Sequence, residues 1–562
     1  MDSQPTKPAV DQVDLFQRWG ALKAERSTWM GHWRDISDYL LPRAGRYFVS
    51  DVNRGDKRHN AIYDNTGTTA LRVLAAGMMA GMTSPARPWF RLSTPDQALN
   101  AAPAVKQWLA DVTRMMLSIF AKSNTYRALH TGYEELGAFG TWSSIVLDDF
   151  ENVIHHYPLT TGEFAIAQDW RGNVCTLYRE FKKTVGEVVK EFGRDKCSPA
   201  VRNLFDRGAV DAWVTIIHAI EPRADRDTTK RDGLNMAWRS CYFELGADKR
   251  SYLREGGHKN FPALAARWAT SGGDIYGNSP AMDALGDIKQ LQHEQLRKAQ
   301  AIDYQVKPPL QVPTSLKGRE VETLPGGITY YDNNSPSAGI RSAFDVNLRL
   351  DFLLADIQDV RERIRGAFSA DLFLMLANST NTTMTATEVA ERHEEKMLML
   401  GPVIERLHSE LLDPLIESTF ARMVVAGILP PPPPEMAGMQ LNVEFVSMLA
   451  QAQRAIATNG VDRFVGNLGQ IAQFKPDVLD KFDSDKWADQ YSDMLGVDPE
   501  MVVAGKDVAL IRQQRAQAQQ QAQQVAQAEQ AASAAQKLGT VQTGPDANNA
   551  AANVMSAFSG YT

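Results

Sequence analysis

Cysteine is scarce: Cys175, Cys197 and Cys241 are the only three in 562 residues. Their odd number and wide spacing exclude a disulfide scaffold and leave no CxxC metal pair. Long apolar runs are also lacking. The longest, Leu74 to Met82, lies between Arg72 and Arg87 and falls well short of the roughly 18 residues a membrane span needs. No membrane partner is therefore expected. The first twenty residues carry Asp2, Asp11 and Asp14 without an apolar segment, so no secretory signal is read there. A basic excess is missing too, with Lys+Arg 60 against Asp+Glu 67 and a formal net charge of −7. That balance disfavours tight wrapping of nucleic acid, which rests on many Lys/Arg–phosphate contacts. No GxxxxGK[ST], HExxH, GxSxG, or GxGxxG after a strand occurs, so none of these motifs calls for a cofactor.

What is present is an ordinary globular composition, 44% hydrophobic and 23% charged, which excludes global disorder. Leu15, Trp19, Leu22, Arg26, Trp29, Trp33, Ile36 and Leu40 recur at helical spacing until Pro42 and Gly45 stop the run. Further helices are expected over about 65–82, with Gly77 and Gly81 allowing close packing, and over about 104–121. Between about 143 and 270 the period shifts towards two, and strands are expected at 144–147, 164–167, 174–178, 213–220 and 238–245. Asp169 to Asn173 reads as a hairpin turn. Thr184 and Glu187 have the spacing of a capping box.

From 279 the pattern changes. Ser279-Pro280 opens a long helix to about Tyr304, and a second is expected from about Arg341 to Phe368. The two bracket a short insertion rich in Gly, Pro and Asn, as antiparallel legs would. A further helix is expected from Thr385 and Glu388 to about Val425, kinked at Gly401-Pro402 and Pro414. A five-proline connector follows. Asp507 to Lys537 holds 11 Gln and 10 Ala, a polar helix with too few large apolar residues to bury a face alone.

Chemistry-bearing clusters are few. His155 and His156 are adjacent on an expected strand and so point to opposite faces. Asp148, Asp149 and Glu151 permit one alternative, a metal-dependent nuclease. Another is a self-assembling scaffold whose Gln/Ala helix is a coiled-coil tag. Trp29 and Trp33 beside Arg26 suit a core stripe better than base stacking. The most informative feature is a stretch without bases. After Arg361, Arg363 and Arg365, no Lys or Arg occurs until Arg392, and Asp371 is the only charge before Glu388. Such a neutral, hydroxyl- and amide-rich segment suits contact with a polyanion that must keep moving.

Three stretches together carry a family resemblance. They are Arg26-Ser27-Thr28-Trp29 through Pro42 to Ile62-Tyr63-Asp64-Asn65-Thr66-Gly67; Leu74 to Pro85 closing on Arg87-Pro88-Trp89-Phe90; and Met384-Thr385-Ala386-Thr387-Glu388-Val389 leading into Leu400-Gly401-Pro402. From about Phe16 to Gln536 the chain resembles the portal proteins of tailed bacteriophages, of the podovirus-type head-to-tail connector family. The resemblance implies an α+β, mainly helical subunit of a ring, with wing, stem, clip and crown. Mapped onto this chain, 1–278 is the α+β wing, 279–304 a stem helix, 305–340 the clip and 341–370 the second stem helix. Next come 371–387 as a tunnel loop, 388–430 as a kinked wing helix, 431–505 as the crown, 506–537 as a barrel-type helix and 538–562 as a disordered tail.

The resemblance further implies a non-enzymatic homo-oligomer, a dodecamer, at the capsid vertex of the virion, assembled in the host cytoplasm. Double-stranded DNA passes through it transiently and without sequence preference. The implied partners are the terminase large subunit, tail adaptor proteins, and the major capsid and scaffolding proteins. On this mapping Asn378, Ser379, Thr380, Asn381, Thr382 and Thr383 face the DNA, and Lys307, Lys317 and Arg319 dock partners. Arg361, Arg363 and Arg365 line the channel or make inter-subunit ion pairs with Asp356 and Asp359. Neither a catalytic residue nor a metal site is expected.

Overall fold

The computed structural model describes residues 15–47, 61–100, 102–230, 232–247, 252–306, 310–311, 341–342, 351–371, 373, 400–436, 441–445, 461, 463–472, 474–495, 503 and 505–539. The chain divides into one unit of residues 1–99 with 108–453 and another of 100–107 with 454–562. In chain order the elements are α1 (Leu15–Tyr39), α2 (Thr66–Met82), β1 (Phe90–Ser93), α3 (Gln97–Asn100), α4 (Pro103–Lys122), α5 (Thr125–Phe139), β2 (Thr141–Asp149) and β3 (Val153–Leu159). There follow β4 (Phe164–Gln168), β5 (Val174–Thr184), α6 (Val185–Phe192), α7 (Pro199–Asp206), β6 (Trp213–Pro222), β7 (Trp238–Glu244), β8 (Arg254–His258) and β9 (Ala263–Arg267). The remainder are α8 (Pro280–Val306), β10 (Leu310–Gln311), β11 (Arg341–Ser342), α9 (Asp351–Ala367), α10 (Gly401–Leu407), α11 (Asp413–Ala426), β12 (Asn442–Phe445), α12 (Ser484–Leu495) and α13 (Gly505–Gly539).

The centre of the first unit is a five-stranded antiparallel sheet, β4-β5-β6-β7-β8, beside a three-stranded one, β3-β2-β9. Both faces of the larger sheet are covered. Leu15, Trp19 and Leu22 of α1 pack on one face, against Ala165, Tyr178, Ile217, Cys241 and Phe243. On the other, Val185, Val188 and Val201 of α6 and α7 pack on Ile216 and Tyr242. Two covered faces explain why β6 reads Ile-Ile-His-Ala-Ile rather than alternating apolar with polar. The capping box at Thr184 is formed with Glu187.

Helix α1 extends past the sheet, and Trp33 donates its indole N–H to the Phe139 carbonyl at 3.1 Å. Trp29, Trp33 and Tyr276 pack ring against ring, while the buried Arg26 donates to the Phe164 carbonyl. This aromatic stripe is core. Cys197 and Cys241 are buried and all three cysteines are free thiols. His155 is exposed and its neighbour His156 buried, the opposite facing expected of adjacent strand residues. Two glycines are dictated by close approach: a Cβ at Gly77 would lie 2.1 Å from the Phe373 ring, and one at Gly140 (φ +73°) 2.2 Å from the Gly277 carbonyl oxygen. Gly81 faces open space, so only Gly77 of the GxxxG pair makes a close contact.

Helices α8 and α9 pack together, with Ile288 and Leu291 buried on one and Ile357, Val360 and Ile364 on the other. Two details depart from the sequence reading. Arg341 does not start the second helix: Arg341 and Ser342 pair antiparallel with Gln311 and Leu310. The described part of the helix begins at Asp351, and the backbone of Arg341 and Ser342 is engaged in the ladder instead. The second departure is a π-helical turn, His408–Leu412, between α10 and α11. Pro414 has no N–H for the Glu410 carbonyl, and the chain accommodates the loss by widening the turn before it. The expected start of that helix at Thr385 lies outside the described residues, as does most of the clip.

In the second unit α13 is the long Gln/Ala helix, and Arg512 forms a two-pronged ion pair with Asp485 of α12 at 2.6 Å.

Candidate functional site

The root of the α8–α9 pair holds a polar clamp. Asp64 precedes α2 and is almost wholly buried. One carboxylate oxygen accepts the Thr66 backbone N–H at 2.8 Å and its hydroxyl at 2.5 Å, so Asp64 rather than the N-cap residue Asn65 serves the first turn of the helix. The other oxygen accepts Nε and Nη2 of Arg361 at 3.1 and 2.7 Å, and Gln295 at 2.9 Å. Gln292 completes the clamp. Its carbonyl oxygen accepts the Tyr63 and Asp64 backbone N–H groups, and its amide donates to the Asp64 carbonyl. Burial pushes the Asp64 pKa upward, but the Thr66 and Arg361 hydrogen bonds outweigh it and hold the carboxyl below its ordinary range. Two long helices are thereby pinned, α8 at mid-length, to the segment that leads into α2.

The other arginines of α9 have different surroundings. Arg363 lies 3.5 Å from Asp287 on α8 and 3.7 Å from Asp359 one turn away. Arg365 is exposed. Asp356, expected to pair with an arginine of a neighbouring copy, acts on Glu294 of α8. Burial first, and then Asp356, raise the Glu294 pKa. Arg361 and Arg363 therefore have carboxylate partners within their own chain, and for Arg361 that partner is Asp64. The tunnel-loop residues Asn378, Ser379, Thr380, Asn381, Thr382 and Thr383 lie outside the described residues, as do Lys307, Lys317 and Arg319.

A second junction ties the smaller sheet to the π turn. Arg267, at the end of β9, is 2% exposed. It grips Glu410 through Nε at 3.2 Å and Nη2 at 2.6 Å, and also donates to Gln168 and to the carbonyls of Ile275 and Gly172. A polar cavity of about 530 Å³ adjoins it, lined by Arg171, Arg406, Glu405 and Glu410 among others. Because a buried guanidinium without acceptors is costly, this set of acceptors fixes where α10 and α11 meet the sheet. Sequence reading missed both junctions. Asp64 followed by Asn65-Thr66 is a cap-like pattern that could have pointed to the first; nothing local points to Arg267–Glu410, which are 143 residues apart.

The acidic cluster next to the paired histidines is engaged in structure. Arg422 of α11 donates to Asp148 at 2.6 Å. Asp149 accepts from the Glu151 backbone and the Asn152 amide. Among the described residues no group of three or more His, Cys, Asp or Glu side chains converges as metal ligands do.

Residues 12–502 match the family described as bacteriophage head to tail connecting protein. The chain belongs to that family. It is 69% identical over 548 residues to a "Probable portal protein" of Bordetella phage BPP-1, covering 98% of both chains. To the "Portal protein" of Salmonella phage epsilon15 it is 45% identical over 550 residues, covering 98% of this chain and 99% of that one. Portal function follows from membership at this identity and coverage, and the family is a structural one. Among solved structures, a chain of "Neck of empty GTA particle computed with C6 symmetry" matches at a TM-score of 0.35 and 11% identity, over 77% of this chain and 93% of that one. That likeness is too distant to bear on the fold. Within the family frame, the Asp64 clamp falls inside one of the three stretches that carried the resemblance, Ile62 to Gly67.

Proposed function

We propose that about twelve copies form a ring at one capsid vertex, the head–tail junction of the virion, and that double-stranded DNA is packaged and ejected through it. The supporting observation is correspondence to phage portal proteins along 98% of the chain. On this reading α8 and α9 are the stem and residues 305–340 the clip, where Lys307, Lys317 and Arg319 meet terminase or tail adaptors. Capsid and scaffolding proteins bind elsewhere on the ring. The segment 371–387 projects towards the DNA.

The mechanism is passive. A net charge of −7 per copy gives roughly −84 for the ring, a field that opposes adhesion of phosphates to the wall. The loop residues Asn378 to Thr383 offer only hydroxyl and amide contacts, so sliding DNA meets no fixed cation. Arg361 is neutralised by Asp64 and Arg363 lies beside Asp287 and Asp359, leaving the exposed Arg365 as the cation of α9 most available to the channel or a neighbouring copy. Asn381→Lys and a poly-lysine version of 378–383 test the idea. Both should assemble into rings yet package DNA more slowly, and packaging at the unmodified rate with lysines throughout the loop would contradict low-friction transport.

A further inference from the structure

The first unit carries a knob and a groove that nothing in the described chain joins. Trp170, at the tip of the β4–β5 hairpin, is 86% exposed, and the Arg171 guanidinium sits 4.7 Å from its ring centre. The turn that presents them is rigid. Asp169 accepts the backbone N–H groups of Arg171 and Asn173, each at 2.9 Å, and the Gly172 carbonyl accepts from the buried Arg267 at 2.6 Å. A large aromatic held in water by so fixed a turn is preorganised for a partner, since little conformational freedom remains to be lost on binding.

Elsewhere in the same unit lies an open apolar groove of about 760 Å³. Leu92, Trp108, Phe420, Val424 and the Pro430–Pro432 run line it, and among the described residues on its wall Glu417 is the one ionisable group. Trp108 fixes the proline run by donating its indole N–H to the Pro430 carbonyl at 3.0 Å. A volume in this range accommodates an indole with room for a flanking side chain.

We propose that the Trp170–Arg171 knob of one copy enters the Trp108/Phe420/proline groove of the next, with Arg171 against Glu417. Charge favours this knob over Phe150, a more exposed aromatic of the same unit, whose neighbours Asp149 and Glu151 would meet Glu417 with like charge. Knob and groove are different surfaces of one chain, so the contact is heterologous and closes into a ring when the rotation between copies permits. This contact rests on the ring reading above and deepens it by naming the surfaces that join neighbours.

The test uses the full-length chain. Trp170→Cys combined with Val424→Cys should give a ladder of oxidised multimers on non-reducing gels, absent from either single variant. Trp170→Ala should raise the concentration for half-assembly roughly tenfold or more. Arg171→Glu should weaken assembly, and Glu417→Arg in the same chain should restore it. Rings that assemble normally with Trp170→Ala, and a double-cysteine chain that yields no ladder, would overturn the knob-in-groove contact while leaving the ring reading intact. A wild-type chain that never self-associates would overturn both.

Discussion

Helices α8 and α13 are both long, at 27 and 35 residues, yet they are stabilised differently. Helix α8 buries Ala281, Leu285, Ile288, Leu291 and Gln292 and is locked to Asp64 through Gln292 and Gln295. In α13, Val508 is the one half-buried residue among the described side chains, and Leu510, Ile511 and Val525 face water. Good helix formers are enough to write a helix into the sequence. Burial against other elements is what makes it part of a fold. In the first unit the chain itself supplies that burial; for α13 the account assigns it to other copies.

If the comparison holds, one buried arginine outweighs an entire exposed helix. Arg267→Met leaves Glu410 with only Arg406 as a cation and strips the hydrogen bonds to Gln168, Ile275 and Gly172, and should cost about 3 kcal/mol of stability, read as a lower denaturant midpoint. Next in size is a pH effect confined to the packed unit. Burial is the main cause that pushes Glu135 up to about 8, with Glu163 and Glu134 adding to it against hydrogen bonds from Thr160 and Thr161. The folded state therefore keeps the proton that the unfolded chain releases near 4.5. Stability is full below that pH and is eroded by about 1.4 kcal/mol per pH unit as pH rises towards 8. Glu135→Gln should flatten that slope and make the variant the more stable form at pH 8; an unchanged slope would remove Glu135 from the account.

On the exposed side, deleting residues from 505 onward should shift the unfolding of the first unit by less than about 0.5 kcal/mol, while weakening assembly. A shift as large as that of Arg267→Met would break the comparison. Smallest of all, Arg512→Ala removes an ion pair in which both partners are more than half exposed, and the thermal unfolding midpoint should not move measurably.

Much of the fold was legible because it is written locally. The periodicity of Leu15 to Leu40, the turn at Asp169–Asn173, the capping box at Thr184 and the Ser279-Pro280 start each lie within a few residues of the structure they specify. Family membership was legible from the order of three such stretches. What local pattern could not supply was pairing at long range. Arg361 was read only as lining a channel or pairing with a neighbouring copy, and no local pattern pointed to its partner within the chain, Asp64, 297 residues away. Likewise the π turn records a proline's missing N–H, which the sequence marked only as a kink. The ladder between 310–311 and 341–342 pairs residues about thirty apart, and no propensity at Arg341 announces it.

The central claim, that the chain completes its packing only among copies of itself, is tested most directly by the native mass of the purified full-length protein. The account predicts a closed particle near twelve times the 62.3 kDa subunit, with no larger open polymers. A monomer at 62.3 kDa across the micromolar range, or a continuous ladder without closure, would contradict it.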